Sequence, residues 1–69
     1  MENILIEFGK HLKMLRKKEN LTQKQFALKS GLHINYIGML ERGERNPSLK
    51  NLSIIADTFN ITLSELMDF

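Results

Sequence analysis

The sequence predicts an all-α fold, a compact five-helix bundle that takes residues 1–69 as one domain. Three observations predict it. Apolar residues recur at steps of three and four, the period of one helix face. No segment alternates with period two for long enough to argue a strand. Gly, Asn, Pro, Ser and Thr stand between the periodic pieces, at positions that start or stop helices. The chain has 69 residues, about half a typical domain, and is 42% apolar and 26% charged. That is globular composition with room for one small core.

Ile4, Leu5, Phe8, Leu12 and Leu15 carry the first helix, which ends near Asn20, with Lys10, Lys13, Lys17 and Lys18 largely off the stripe. Thr22 is a good N-cap for a second helix holding Phe26, Ala27 and Leu28 and stopped by Ser30-Gly31. A third runs from about Ile34 to Arg42, with Tyr36, Ile37 and Leu40 apolar and Gly43 at its end. Asn46-Pro47-Ser48 reads as a turn, Pro47 having no N–H to satisfy and Ser48 capping the next helix. Leu49, Leu52, Ile55, Ala56 and Phe59 form the stripe of that fourth helix, and Asn60 suits a left-handed turn after it. Thr62-Leu63-Ser64-Glu65 has the capping-box spacing, which opens a fifth helix of two turns over about residues 62–69.

Composition excludes several classes of function. There is no cysteine, so disulfides, thiolate metal sites and thiol nucleophiles are out. No apolar run exceeds the length of Ile4-Leu5-Ile6, far short of a membrane span, and Glu2-Asn3 is not the basic start of a signal peptide. The expected location is the cytoplasm. His11 and His33 fall on different elements with no other strong ligand at metal spacing, and the glycines are too dispersed for a phosphate loop. No metal, no cofactor and no enzymatic activity are expected. The net charge of +2 hides an asymmetry: residues 1–50 hold all ten Lys and Arg and five acids, whereas residues 51–69 hold three acids and no base. Such a split points to a polyanionic partner for the basic part, the plainer alternative being a solvated helix face.

The most informative stretch is Leu21 to Gly43, LTQKQFALKSGLHINYIGMLERG. Two short helices joined by a glycine-containing turn make a helix-turn-helix, with the motif at about residues 22–42. Ala27 must be small where the two helices cross. Gly31 can hold the positive φ that redirects the chain. Ile37 is the branched plug that locks the pair. At these positions, and at Leu15-Arg16, Leu21-Thr22-Gln23, Leu40-Glu41-Arg42-Gly43 and Asn46-Pro47-Ser48-Leu49, the chain resembles the phage-repressor and Cro (Xre-like) helix-turn-helix family. The match runs from Phe8 to Leu66. Glu41-Arg42-Gly43-Glu44-Arg45-Asn46 gives a narrower likeness to the controller proteins of restriction–modification systems.

The resemblance implies a lambda-repressor-like fold and a sequence-specific transcription regulator that lays its third helix in the DNA major groove. His33, Ile34, Asn35 and Met39 are then the expected base readers, Asn35 by pairing with an adenine edge, Ile34 and Met39 by apolar contact. The family often carries glutamine at the positions of Ile34 and Met39. Their replacement implies fewer base hydrogen bonds and more reliance on DNA shape. Gln23, Tyr36, Arg42, Arg45 and Asn46 are the expected phosphate contacts, and the family pattern bridges Arg16 to Glu41. Ile61, Leu63, Leu66, Met67 and Phe69 crowd the last nine residues with apolar side chains. With Leu63 and Leu66 turned inward, Ile61, Met67 and Phe69 are left as a patch for a second copy, giving a homodimer on a two-fold-related operator. No small-molecule effector is expected, since a chain this short has no room for an effector domain. An antitoxin or other protein-binding regulator on the same fold is the alternative.

Overall fold

The computed structural model describes residues 3–69. Glu2, counted above among the acids and in the argument against a signal peptide, lies outside the described residues. Five helices run in order: α1 (Asn3–Lys18), α2 (Gln23–Ser30), α3 (Ile34–Glu41), α4 (Leu49–Thr58) and α5 (Leu63–Leu66). No strand occurs among the described residues, and no helix there is long and apolar enough to cross a membrane.

Local chemistry sets the boundaries. Thr22 and Thr62 each close a reciprocal capping box, with Gln25 and Glu65 respectively, and Ser48 caps α4 by accepting from the Asn51 amide. These oxygens satisfy amide donors that the first turn of a helix leaves without partners. Stops are equally local. Asn20, Gly31, Gly43 and Asn60 all take the left-handed conformation, with φ of 59°, 80°, 75° and 58°. Past three of them a backbone bond closes five residues back: Leu21 to Arg16, Glu44 to Met39 and Ile61 to Ala56. These are Schellman-type endings, and they use carbonyls the last turn would otherwise leave open.

The core is Phe8 and Leu12 of α1, Phe26 and Ala27 of α2, Ile37 and Leu40 of α3, Ile55 and Ala56 of α4, and Leu66 of α5. Phe26 stacks on Phe59 with ring centroids 4.8 Å apart. Helix α3 is the centre of the packing, held between α1 and α2, while α4 packs on α2 and α5 on α4. Gly9 sets the approach of α1 to α3, because a Cβ there would lie 2.5 and 2.6 Å from the carbonyl oxygens of Leu40 and Glu41.

Several apolar positions depart from the expected stripes. Ile4 and Leu49 begin their helices on the stripe yet are exposed, as is Leu28. Each side chain stands on a part of its helix that the packing leaves open to solvent. Helix α5 has one turn in place of two: Met67 already caps it, and its amide returns to Leu63. Leu63 is consequently exposed while Leu66 is fully buried, so a single residue anchors α5 instead of a pair.

Candidate nucleic-acid interface

Helix α3 buries one side and offers the other. At 100° per residue, Ile37, Leu40 and Glu41 share the inner side, and Ile34, Asn35, Gly38, Met39 and Arg42 share the outer one. Ile34, Asn35 and Arg42 are exposed and Met39 is half-buried. Together with Gln23 from the start of α2, these five outer residues line one open concavity. Three of the four expected base readers and two of the five expected phosphate contacts therefore meet at one place.

His33 lies apart from that group. It is the N-cap of α3, and its Nδ1 accepts the Asn35 amide at 3.0 Å. It borders a second depression with Lys24, Leu28 and Leu32. Tyr36 stands at the far flank of the outer face, half-buried, its hydroxyl accepting from Asn51 Nδ2 at 3.0 Å. The Arg45 guanidinium sits 5.3 Å from the centre of the Tyr36 ring, a cation–π contact. Arg45 and Asn46 are exposed in the loop between α3 and α4.

Beneath the concavity lies an ionic cluster. Arg16 Nε donates to Glu41 Oε2 at 2.6 Å and Nη2 to Oε1 at 3.0 Å, while Nη1 donates to the Leu21 carbonyl at 2.8 Å. The two side chains are only 8% and 3% exposed. Hydrogen bonds to Glu41 raise the Arg16 pKa above the ordinary arginine value, against the opposing pull of burial. A third member comes from the site itself: Gln23 Nε2 donates to Glu41 Oε1 at 3.1 Å. Sequence reasoning assigns Gln23 to phosphate alone and misses this bond, which joins residues 18 positions apart. It ties the start of α2, the end of α3 and the last turn of α1 together, and it fixes the direction of the Gln23 amide. At the surface, Arg42 donates from Nε and Nη2 to both carboxylate oxygens of Glu44, at 3.0 and 3.2 Å. The pair raises the Arg42 pKa and lowers that of Glu44.

At the C-terminus, Met67 and Phe69 are 39% and 47% exposed, whereas Ile61 is half-buried and packs against the core of its own chain. Of the expected patch, Ile61 thus presents less surface than Met67 and Phe69. Phe69 turns back toward α1, its ring centroid 6.0 Å from that of Phe8 and 5.3 Å from that of His11. Met67 lines a depression with Ile4, Leu5, Phe8 and Pro47. The apolar surface here thus includes Ile4 of α1, which the sequence assigns to the core stripe.

Comparison with known proteins yields a consistent picture. Residues 12–66 match the helix-turn-helix family HTH_3. The chain is 48% identical over 67 residues to the control protein C.MunI of a Mycoplasma species, covering 96% of this chain and 90% of that protein. It is 37% identical over 68 residues to the control protein C.BamHI of Bacillus amyloliquefaciens, covering 97% and 84%. The crystal structure of the restriction-modification controller protein C.AhdI from Aeromonas hydrophila superposes with a TM-score of 0.86 at 42% identity, covering 90% of this chain and 94% of that one.

Proposed function

Because the chain belongs to the HTH_3 helix-turn-helix family, whose members are DNA-binding transcription regulators, we propose that it regulates transcription as a homodimer on a two-fold-related operator. Its similarity to C.MunI, C.BamHI and C.AhdI supports the more specific role of a restriction–modification controller protein. The observation that carries the reading is the concavity on the outer face of α3, where Asn35, Ile34 and Met39 stand beside Gln23 and Arg42. A helix of this kind enters the major groove with its N-terminal residues at base edges. Asn35 is the one side chain among the three that can pair bidentately with an adenine edge, while Ile34 and Met39 suit thymine methyls. His33, with Nδ1 committed to its cap, can offer only Nε2 to a base.

The phosphate set flanks this centre. Gln23 and Arg42 lie on one side, with Tyr36, Arg45 and Asn46 on the other. Because Glu41 fixes one end of the Gln23 amide, its oxygen is not the group a phosphate needs, so the amide must be shared or must turn. The second copy joins through Met67 and Phe69, with Ile4 adjoining. Such a dimer sets two α3 helices on successive turns of one DNA face.

Two substitutions compared by binding to an operator and its single-base variants test the assignment. Arg45→Ala should weaken every duplex alike and flatten the salt dependence by ~0.9 in the log–log slope, one phosphate contact's share. Asn35→Ala should lower affinity by ~1–3 kcal/mol for the preferred base only. Uniform loss in Asn35→Ala would make it a positioning residue, and an unchanged slope in Arg45→Ala would remove Arg45 from the phosphate set.

A further inference from the structure

Arg42 meets the outer face of α3 with its charge already matched. Its guanidinium makes a two-pronged contact with Glu44, at 3.0 and 3.2 Å. Two features show that this pair is built into the turn. Gly43 is left-handed, with φ of 75°, and a Cβ on it would lie 2.9 Å from the Cα of Ile6, so the turn sits directly against α1. The Glu44 amide then closes onto the Met39 carbonyl at 2.9 Å, which fixes where the Glu44 side chain starts. On the other side, Gly38 lets Arg42 lie back along α3, since a Cβ there would come within 3.1 Å of Nη1. The guanidinium is thereby held at the rim of the concavity that Asn35 and Met39 also line.

A carboxylate and a phosphate oxygen present the same kind of acceptor to an arginine fork. From this geometry we infer that Glu44 is an internal competitor for DNA phosphate, occupying Arg42 in the free protein and yielding it on binding. The inference rests on the DNA-binding reading and adds a residue that opposes it. Phosphate contacts carry no sequence information, so the competitor lowers affinity for all duplexes alike and leaves base reading untouched. The device sets how much protein must accumulate before the operator fills.

The test is a double-substitution cycle, with binding measured on a duplex that the protein selects from a random pool and on a scrambled duplex of equal length. Glu44→Gln should tighten binding to both duplexes by the same factor, about twofold to fivefold, the range expected for an exposed ion pair. In an Arg42→Met background the same change should alter affinity by less than about 1.5-fold, because no guanidinium remains to release. Both side chains are at the surface, and thermal melts of each variant verify that the fold is kept. An equal gain in both backgrounds would show only a distant charge effect and would overturn the competition. Weaker binding by Glu44→Gln would overturn it too, since Glu44 would then be presenting Arg42 to the phosphate. Failure of the unmodified protein to bind any duplex would contradict the DNA-binding reading itself, and this inference with it.

Discussion

Each of the three guanidinium nitrogens of Arg16 donates to a protein acceptor, two to Glu41 and one to the Leu21 carbonyl. Removing it would leave the Glu41 carboxylate, 3% exposed, with only the Gln23 amide as partner. Arg16→Met should therefore cost about 3–5 kcal/mol in urea unfolding, enough to unfold much of a chain this small. Adding Glu41→Leu should recover most of that loss, because two apolar groups of similar volume need no partners. A single-mutant cost below about 1 kcal/mol would mean the pair behaves as a surface bridge. At this scale the sequence is only partly legible. Nothing in the spacing of residues 16 and 41 joins them, and the expectation comes from the family pattern. The bond from Gln23 to Glu41 has no local signal either, because it depends on how α2 meets the end of α3. His33 as an N-cap escapes notice because its short polar rivals, Ser, Thr, Asp and Asn, dominate that position.

Elements were the most readable scale, for a physical reason: caps and left-handed stops depend on neighbours within a few residues. Thr22, Ser48, Thr62, Gly31 and Asn60 all do what their types favour. Burial at rims, as at Ile4 and Leu49, depends on which helix comes near, and periodicity carries no such information. Gly9 shows the same limit, since its need for a missing Cβ arises only where α1 crosses α3. Gly9→Ala should destabilise by about 1–3 kcal/mol or more despite the better helix propensity of alanine, as the carbonyls it meets belong to backbone. A more stable Gly9→Ala protein would contradict that crossing. The cap of α5 adds a pH signature. The Thr62 amide and hydroxyl both donate to Glu65, which lowers its pKa from the ordinary 4.5. A carboxyl with a lowered pKa stabilises the fold while ionised. Its contribution is therefore complete above the ordinary value and fades as pH falls through the lowered one. The Glu65 carboxyl resonance should titrate below 4.5, with Thr62 amide exchange quickening over the same interval. A midpoint at or above that value would contradict the box.

At the scale of the whole molecule, the bases gather in residues 1–50 and the acids of residues 51–69 stand alone. The basic part runs from α1 to the start of α4 and holds every expected base reader and phosphate contact. The proposed dimer surface is best tested at Met67, which is exposed, whereas shortening the chain before Leu66 would remove a fully buried core residue. Met67→Lys should leave the melting behaviour of the dilute monomer unchanged and raise the dissociation constant at least tenfold in sedimentation equilibrium. A dimer of unaltered strength would move the interface elsewhere. Selecting bound sites from a random duplex pool would show whether two copies read base sequence through α3. The expected result is enrichment of two-fold-related half-sites with centres about 10 base pairs apart, one helical turn, each with an adenine position that Asn35→Ala protein no longer selects. A pool that stays random, or one enriched in sites without a two-fold repeat, would contradict it.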